Sequence, residues 1–160
     1  MAARLQDEIK QTKPFASLEE EVYLSLRLTA QVIEEPWARF LKTRHQLSPS
    51  QYNLLRILRG AHPSGLTCSE IGERMINRDP DVTRLVDRLA KRKMVRRARD
   101  TKDRRVVFVF ITPIGLSCLK ALDEDVDQFP RKTLGPLGAG RLRELRGLLE
   151  AVRAEKGPFP

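Results

Sequence analysis

The sequence is poor in the residues on which most catalytic and metal sites depend. Its 160 residues include two histidines and two cysteines. Cys68 and Cys118 match neither a zinc-ligand spacing nor a Cys-x-x-Cys pair. A Gly-x-Ser-x-Gly nucleophile motif and a phosphate-binding loop are also missing. We therefore expect no enzyme, no catalytic residue, no metal site and no cofactor. Both cysteines are expected as free thiols, with a redox switch as the alternative.

Long apolar runs are missing as well. The longest, residues 106–111, is far shorter than the ~20 residues that cross a bilayer. The first residues, MAARLQDEIKQ, contain no apolar signal core. These features predict a cytoplasmic protein without a membrane partner. A composition of 41% hydrophobic and 32% charged residues is typical of a globular, highly charged domain.

The positive charge is concentrated in one segment. Residues 78–105 contain 12 basic and 5 acidic residues, so they carry +7 of the chain's net charge of +9. A protein binds nucleic acid by replacing condensed counterions with Lys and Arg, and a concentrated basic patch is the expected footprint. The segment therefore predicts double-stranded DNA as a partner, although an ordinary solvated helix also has a charged face.

The first half of this segment is predicted to be a helix. Asp79 as the cap and Pro80 as the first helical residue mark its start. Apolar residues recur at helical spacing on one face: Val82, Leu85, Val86 and Leu89. Basic residues at i, i+4 and i+7 form a stripe on the other face: Arg84, Arg88 and Lys91.

Further helices and a hairpin surround this basic helix. Capping-box patterns start helices after Ser17, Ser48 and Thr67, and the last of these gives a helix-turn-helix arrangement with the basic helix. β-Branched and aromatic residues predict strands at 95–99 and 105–111, joined by a polar loop. Pro36 is expected to kink or restart the first helix. The prolines and glycines of residues 129–140 are expected to break the chain between the last two helices.

The predicted fold is mainly α with a small β-hairpin wing, a winged helix-turn-helix with N- and C-terminal dimerisation helices. The terminal helices are apolar over wide arcs, which favours burial against a second copy of the chain. A two-fold homodimer would place two recognition helices ~34–36 Å apart. The predicted regions are a flexible N-terminal arm at 1–16, an N-terminal dimerisation helix at 17–46, the DNA-binding region at 47–112 and C-terminal dimerisation helices at 113–155.

Four segments of the chain resemble MarR-type transcriptional regulators: LSPSQYNLLRIL (47–58), LTCSEIGERM (66–75), DVTRLVDRLAKRKMVRR (81–97) and DTKDRRVVFVFITPIG (100–115). The resemblance covers about residues 18–155. The wing pattern of the family is matched by Asp103, Arg105, Ile111, Thr112, Pro113 and Gly115. The resemblance implies a homodimer on an inverted-repeat operator, often a repressor, that a small aromatic ligand releases.

One residue departs from the family pattern. Lys93 stands where these regulators usually have glycine after the recognition helix. A left-handed turn there costs a residue with a Cβ about 1 kcal/mol, or else the helix ends one residue differently.

The basic helix supplies the predicted major-groove contacts. Arg84 and Arg88 are expected to reach guanine O6 and N7, and Thr83 a thymine methyl or a phosphate. Asp81 is either an acceptor for cytosine or a first-turn acid that stabilises the helix. Arg78 completes the set at the start of the segment.

The wing and the other helix starts supply the remaining predicted DNA contacts. Lys102 and Arg104 at the hairpin tip are expected in the minor groove. Asp103 and Arg105 carry the wing motif, with Asp103 as an internal partner that holds the hairpin and orients a neighbouring arginine. Three hydroxyl residues lie near helix N-termini, where phosphate binds readily, although plain capping is favoured for Thr67: Ser50, Thr67 and Ser69.

A weaker prediction concerns an effector pocket between the dimerisation helices and the DNA-binding region. Its candidate residues are three aromatic side chains and a loop histidine: Trp37, Phe40, Tyr52 and His62. The simpler interpretation is that the aromatics belong to the core.

Three functions fit the sequence to different degrees. The leading one is a dimeric, sequence-specific DNA-binding regulator. A non-specific architectural DNA-binding protein would use the same basic surface. A winged-helix protein-interaction module without a DNA role would have lost these basic residues, and here they are abundant.

Overall fold

The computed structural model describes residues 4–77 and 81–154. Its elements follow in chain order: α1 (Leu5–Glu8), α2 (Leu18–His45), α3 (Pro49–Ala61), α4 (Cys68–Arg74), α5 (Val82–Lys91), β1 (Val95–Arg99), β2 (Val107–Ile111), α6 (Pro113–Leu134), a 3-10 turn (Gly135–Leu137) and α7 (Gly138–Ala154). The chain divides into an N-terminal unit, Met1–Tyr52, and a C-terminal unit, Asn53–Pro160. The predicted mainly helical class with one hairpin is confirmed for the described residues.

The long helix α2 dominates the N-terminal unit. Ser17 caps it by accepting a hydrogen bond from the Glu20 amide at 3.2 Å. The helix continues through Pro36, so the predicted restart there is wrong. Proline removes one main-chain donor, and the remaining hydrogen bonds on either side keep the helix continuous. Leu41 is its buried side chain, and large apolar residues lie exposed along it. One helical turn, α1, lies within the segment predicted to be a flexible arm.

The core of the C-terminal unit joins its helices to the hairpin. The apolar face predicted for α5 is buried in full, from Val82 to Leu89. The side chains that are almost completely buried come from five elements: Leu54, Leu55, Leu58, Ile71, Val86, Leu89, Val109, Leu119 and Leu122. Truncating such a residue costs about 2–5 kcal/mol of stability. The packing of these side chains therefore holds the hairpin and α5 in place.

The hairpin strands pair antiparallel from Val95 opposite Ile111 to Arg99 opposite Val107. The second strand begins at Val107 rather than at residue 105, because the Val106 amide donates to the Asp103 carbonyl at 3.0 Å within the loop. Leu66 forms a bridge with Val109, with N–O distances of 3.0 and 2.7 Å. Strand β2 therefore has main-chain partners on both of its edges.

Two predicted helix boundaries are wrong. The basic helix α5 begins at Val82 with Asp81 as its cap, not at Pro80. Asp79 and Pro80 lie outside the described residues. Helix α6 continues past Pro130 to Leu134, so the break between the last helices begins at Gly135 rather than at residue 129.

A compact junction joins the end of α5 to the start of α6. Lys93 takes a left-handed conformation, with φ of 58°, directly after the helix. The Thr112 hydroxyl donates to the Lys93 carbonyl at 2.7 Å and accepts from the Gly115 amide at 3.3 Å. A Cβ on Gly115 would overlap the Met94 carbonyl oxygen, so the close approach requires glycine there. The left-handed turn of the family is thus retained, and Lys93 adopts it at a cost in energy.

Lys93→Gly is expected to raise the free energy of unfolding by about 1 kcal/mol, because glycine adopts the left-handed turn without a Cβ penalty. Urea unfolding measures the change. Lys93→Ala removes the same charge but keeps the Cβ, so its free energy of unfolding should not rise. Equal effects of the two substitutions would show that strain at this turn is not the cause.

Candidate nucleic-acid interface

Helix α5 presents a basic face to solvent. Its buried apolar face points into the C-terminal unit, so the residues of the opposite face are exposed by geometry. Thr83, Arg84 and Arg88 are all exposed, with the Arg84 side chain at 78%. The three residues predicted for the major groove therefore share one accessible surface. Arg78 lies outside the described residues.

Asp81 has a structural role at the start of α5. One carboxylate oxygen accepts from the Arg84 amide at 3.0 Å, and the other pairs with the Arg84 Nε at 2.8 Å. Of the two roles considered for Asp81, the structure contains the one at the helix start, which satisfies an N–H that the helix leaves without a partner.

Arg97, which the sequence analysis did not single out, connects β1 to α5. Its Nη1 pairs with the Asp87 carboxylate at 2.5 Å, and its Nη2 donates to the Thr83 carbonyl at 3.3 Å. Side chains alternate along a strand, so Arg97 shares a face with the buried Val95. The alternation of side chains along β1 and the acidic residue Asp87 in α5 are the sequence features from which an arginine facing the helix could have been predicted.

The other face of the hairpin carries an aromatic contact. The Arg96 guanidinium lies 4.2 Å from the centre of the Phe110 ring, a cation–π geometry. The same ring leaves no room for a Cβ on Gly65. The hairpin is therefore in contact with the α3–α4 loop on this side and with α5 on the other.

The tip of the wing is a polar loop with three exposed cations, Lys102, Arg104 and Arg105. The Asp103 carboxylate accepts from the Arg105 amide at 2.9 Å, and the Asp100 carboxylate accepts from the Lys102 amide at 3.3 Å. Asp103 thus holds the loop, and it does so through the main chain of Arg105 rather than through a guanidinium.

The hydroxyl residues near helix starts differ in what their side chains contact. Thr67 and Glu70 form a complete capping box at the start of α4. The Thr67 hydroxyl accepts from the Glu70 amide at 3.3 Å and donates to the Glu70 carboxylate at 2.9 Å. Hydrogen bonds from the Thr67 amide and hydroxyl lower the pKa of Glu70. These bonds engage the Thr67 hydroxyl in the capping box. Ser69 is exposed in α4, and Ser50 is half-buried in α3 of the N-terminal unit.

Three of the four candidate effector residues lie together in the N-terminal unit. Trp37 stacks on Phe40 with ring centroids 5.5 Å apart, and it meets Tyr52 edge-on at 5.5 Å. His45 is the histidine in this cluster, 5.9 Å from Phe40. The predicted His62 belongs to the C-terminal unit, where it is exposed on the α3–α4 loop.

The described residues contain no group of three His, Cys, Asp or Glu side chains that could hold a metal ion. None of their helices has both the length and the apolar character of a membrane span. Cys68 and Cys118 are free cysteines. Burial raises the pKa of the Cys118 thiol, and the nearby Arg92 partly opposes that shift.

Comparison with known sequences identifies a family. The model of the MarR family matches residues 47–107. The chain is 36% identical over 112 residues to the HTH-type transcriptional regulator TtmR of Methylorubrum extorquens, covering 70% of this chain and 54% of the relative. It is 34% identical to the HTH-type transcriptional repressor MdtR of Bacillus subtilis, covering 59% of each protein. The chain thus spans little more than half the length of these relatives.

The matches to solved structures cover larger shares of both chains. A MarR transcription factor from Planctomyces limnophilus is 42% identical with a TM-score of 0.62, and the match covers 86% of this chain and 99% of the other. Two further structures share the fold at 22% identity. Sco3205 of Streptomyces coelicolor, solved with DNA, has a TM-score of 0.78 over 93% and 94% of the two chains. BpsR of Bordetella bronchiseptica, whose DNA binding is regulated by 6-hydroxynicotinic acid, has 0.76 over 90% and 100%.

Asp103→Ala is expected to weaken DNA binding about 2- to 10-fold, although it removes a negative charge, because the loop loses the bond that holds the Arg105 amide. Asp103→Asn keeps an acceptor and should bind at least as tightly as the wild type. Mobility shifts with one duplex measure both variants. Tighter binding by Asp103→Ala would show that Asp103 acts only as a repulsive charge.

Proposed function

Because the chain belongs to the MarR family of transcriptional regulators, we propose that it is a sequence-specific double-stranded DNA-binding regulator. The observation that carries this proposal is the pairing of two basic elements, the exposed face of α5 and the wing, joined by Arg97. A helix of this size fits the major groove, and a hairpin beside it reaches the adjacent backbone or minor groove. The same fold occurs in Sco3205, which was solved bound to DNA.

The proposed contacts divide by chemistry. Arg84 and Arg88 contact base edges, with Thr83 beside them, because an arginine fork matches O6 and N7 of guanine. Lys102 and Arg104 at the wing tip enter the minor groove, where the potential is most negative. Ser69, at the exposed start of α4, donates to phosphate.

The active form is proposed to be a homodimer. Helix α2 buries one side chain, and within the described residues α7 buries none. Large apolar side chains on these helices are exposed: Leu18, Val22, Tyr23, Leu26, Val32, Leu148 and Val152. Exposed apolar side chains in such number mark an interaction site, and a second copy of the chain is the partner proposed for each of these helices. A two-fold dimer requires an inverted-repeat operator.

Repression and release by a small aromatic ligand complete the proposal. MdtR, a relative in sequence, is a repressor, and the DNA binding of BpsR, which has the same fold, responds to 6-hydroxynicotinic acid. In this chain the stacked rings of Trp37, Phe40 and Tyr52 are the aromatic surface on which such a ligand could stack.

A mobility-shift titration with the DNA upstream of the protein's own gene tests the function. At physiological salt, the dimer should prefer one palindromic site at least ~10³-fold over random duplex. Repeating the titration at a second salt concentration should give a linear fall of log K with log salt. Arg84→Ala should lower the preference about 10-fold or more, whereas Arg143→Ala on α7 removes the same charge away from the proposed interface and should keep it.

Two outcomes would contradict the proposal. Equal affinity for all duplexes would indicate an architectural protein. Absence of any shift at low salt, with a sample verified as dimeric, would exclude both DNA functions and favour a protein-interaction module.

A further inference from the structure

The Asp81 carboxylate binds one residue, Arg84, at two places. Oδ1 accepts from its main-chain amide at 3.0 Å, and Oδ2 pairs with its side-chain Nε at 2.8 Å. The first bond caps the helix, whereas the second holds the Nε edge of the guanidinium against Asp81. Asparagine or serine would cap the helix equally well, but neither could form the charged pair with Arg84.

The pairing at Nε determines which part of Arg84 remains for a partner. A guanidinium has five N–H donors in a planar fork. A carboxylate at Nε leaves the far edge, made by Nη1 and Nη2, for another acceptor pair. That edge matches the O6 and N7 acceptors of guanine in the major groove. The side chain is 78% exposed, so this edge is accessible on the face of α5.

Holding Arg84 in one orientation affects specificity more than total affinity. A free arginine side chain loses ~2 kcal/mol of rotamer entropy when it is fixed, and a free cation also binds any phosphate within reach. Pairing with the Asp81 carboxylate lowers this entropy cost. It also opposes binding of Arg84 to phosphate, because the carboxylate charge repels the DNA backbone.

We propose that Asp81 is a specificity-determining residue that positions Arg84 for a guanine in the major groove. Asp81 acts through Arg84 and is not required to contact a base. This inference rests on the proposed DNA-binding function and adds to it the base preference of one helix position.

Asp81→Asn tests the inference, because asparagine is as good a cap as aspartate. The wild-type protein first selects its preferred duplex from a randomised pool, and Arg84→Ala identifies the guanine whose preference depends on Arg84. Duplexes with each of the four base pairs at that position are then titrated. Asp81→Asn should lower the preference for guanine about fivefold or more, while its affinity for random duplex stays equal or rises.

Three controls separate positioning from damage to the fold. Glu73→Gln removes one negative charge from α4 without touching Arg84 and should keep the wild-type preference. The thermal midpoint of Asp81→Asn should stay close to that of the wild type. In the DNA-free protein, the NMR signal of the Arg84 Nε–H should exchange more slowly in the wild type than in Asp81→Asn.

The inference is overturned if Asp81→Asn keeps the wild-type guanine preference, if its affinity for random and selected duplexes falls equally, or if the Nε–H signal is the same in both proteins. These results would leave the DNA-binding function intact, provided that the wild type still selects a duplex. If the wild type selects none, the proposed function fails, and the inference fails with it.

Discussion

The bridge made by Arg97 is the interaction on which the proposed interface depends. A single guanidinium on the first wing strand contacts the Asp87 carboxylate and the Thr83 carbonyl of α5. The two basic elements are consequently connected next to the residues proposed to contact bases. A pair of this exposure contributes at most about 1 kcal/mol to stability in water. Its value lies in orientation, since the wing and the helix must meet the same duplex together.

A second set of contacts fixes the ends of the same elements. The Thr112 hydroxyl joins the turn after α5 to the first residues of α6. Leu66 pairs with Val109 on the outer edge of the hairpin, and the Phe110 ring lies against Gly65. The C-terminal end of α5, the base of the wing and the outer edge of its second strand are therefore each attached to a neighbouring segment. The Thr-Pro-x-Gly pattern has a physical explanation here, because Thr112 needs a hydroxyl and Gly115 has no room for a Cβ.

Much of the fold could be predicted because it depends on local patterns. The buried face of α5 follows from apolar residues at helical spacing, and the α4 start follows from the spacing of Thr67 and Glu70. The errors occur where two local signals compete. Pro36 and Pro130 are helix-breaking residues, yet neighbouring hydrogen bonds carry the helices past them. At the start of α5, Asp79 and Asp81 are equally good caps by composition, and the structure uses Asp81.

The positive charge of the candidate interface could be predicted from the sequence. The contacts that connect its helix to its wing could be predicted less well. The basic stripe of α5 and the cations of the wing loop follow from sequence spacing alone. The Arg97 bridge joins residues ten positions apart on different elements, and its geometry depends on how the hairpin folds back. Lys93 shows the same limit, because sequence alone left open whether the helix end shifts or the residue accepts a left-handed turn.

A double-mutant cycle on Asp87 and Arg97 tests the central claim most directly. The operator affinities of the wild type, Asp87→Asn, Arg97→Gln and the double variant give the coupling free energy between the two side chains. If the bridge orients the wing on α5, each single substitution weakens operator binding. The double variant then binds the operator no more weakly than the weaker-binding of the two single variants. The expected coupling is about 0.5–3 kcal/mol. Effects that add to within about 0.5 kcal/mol would contradict the account.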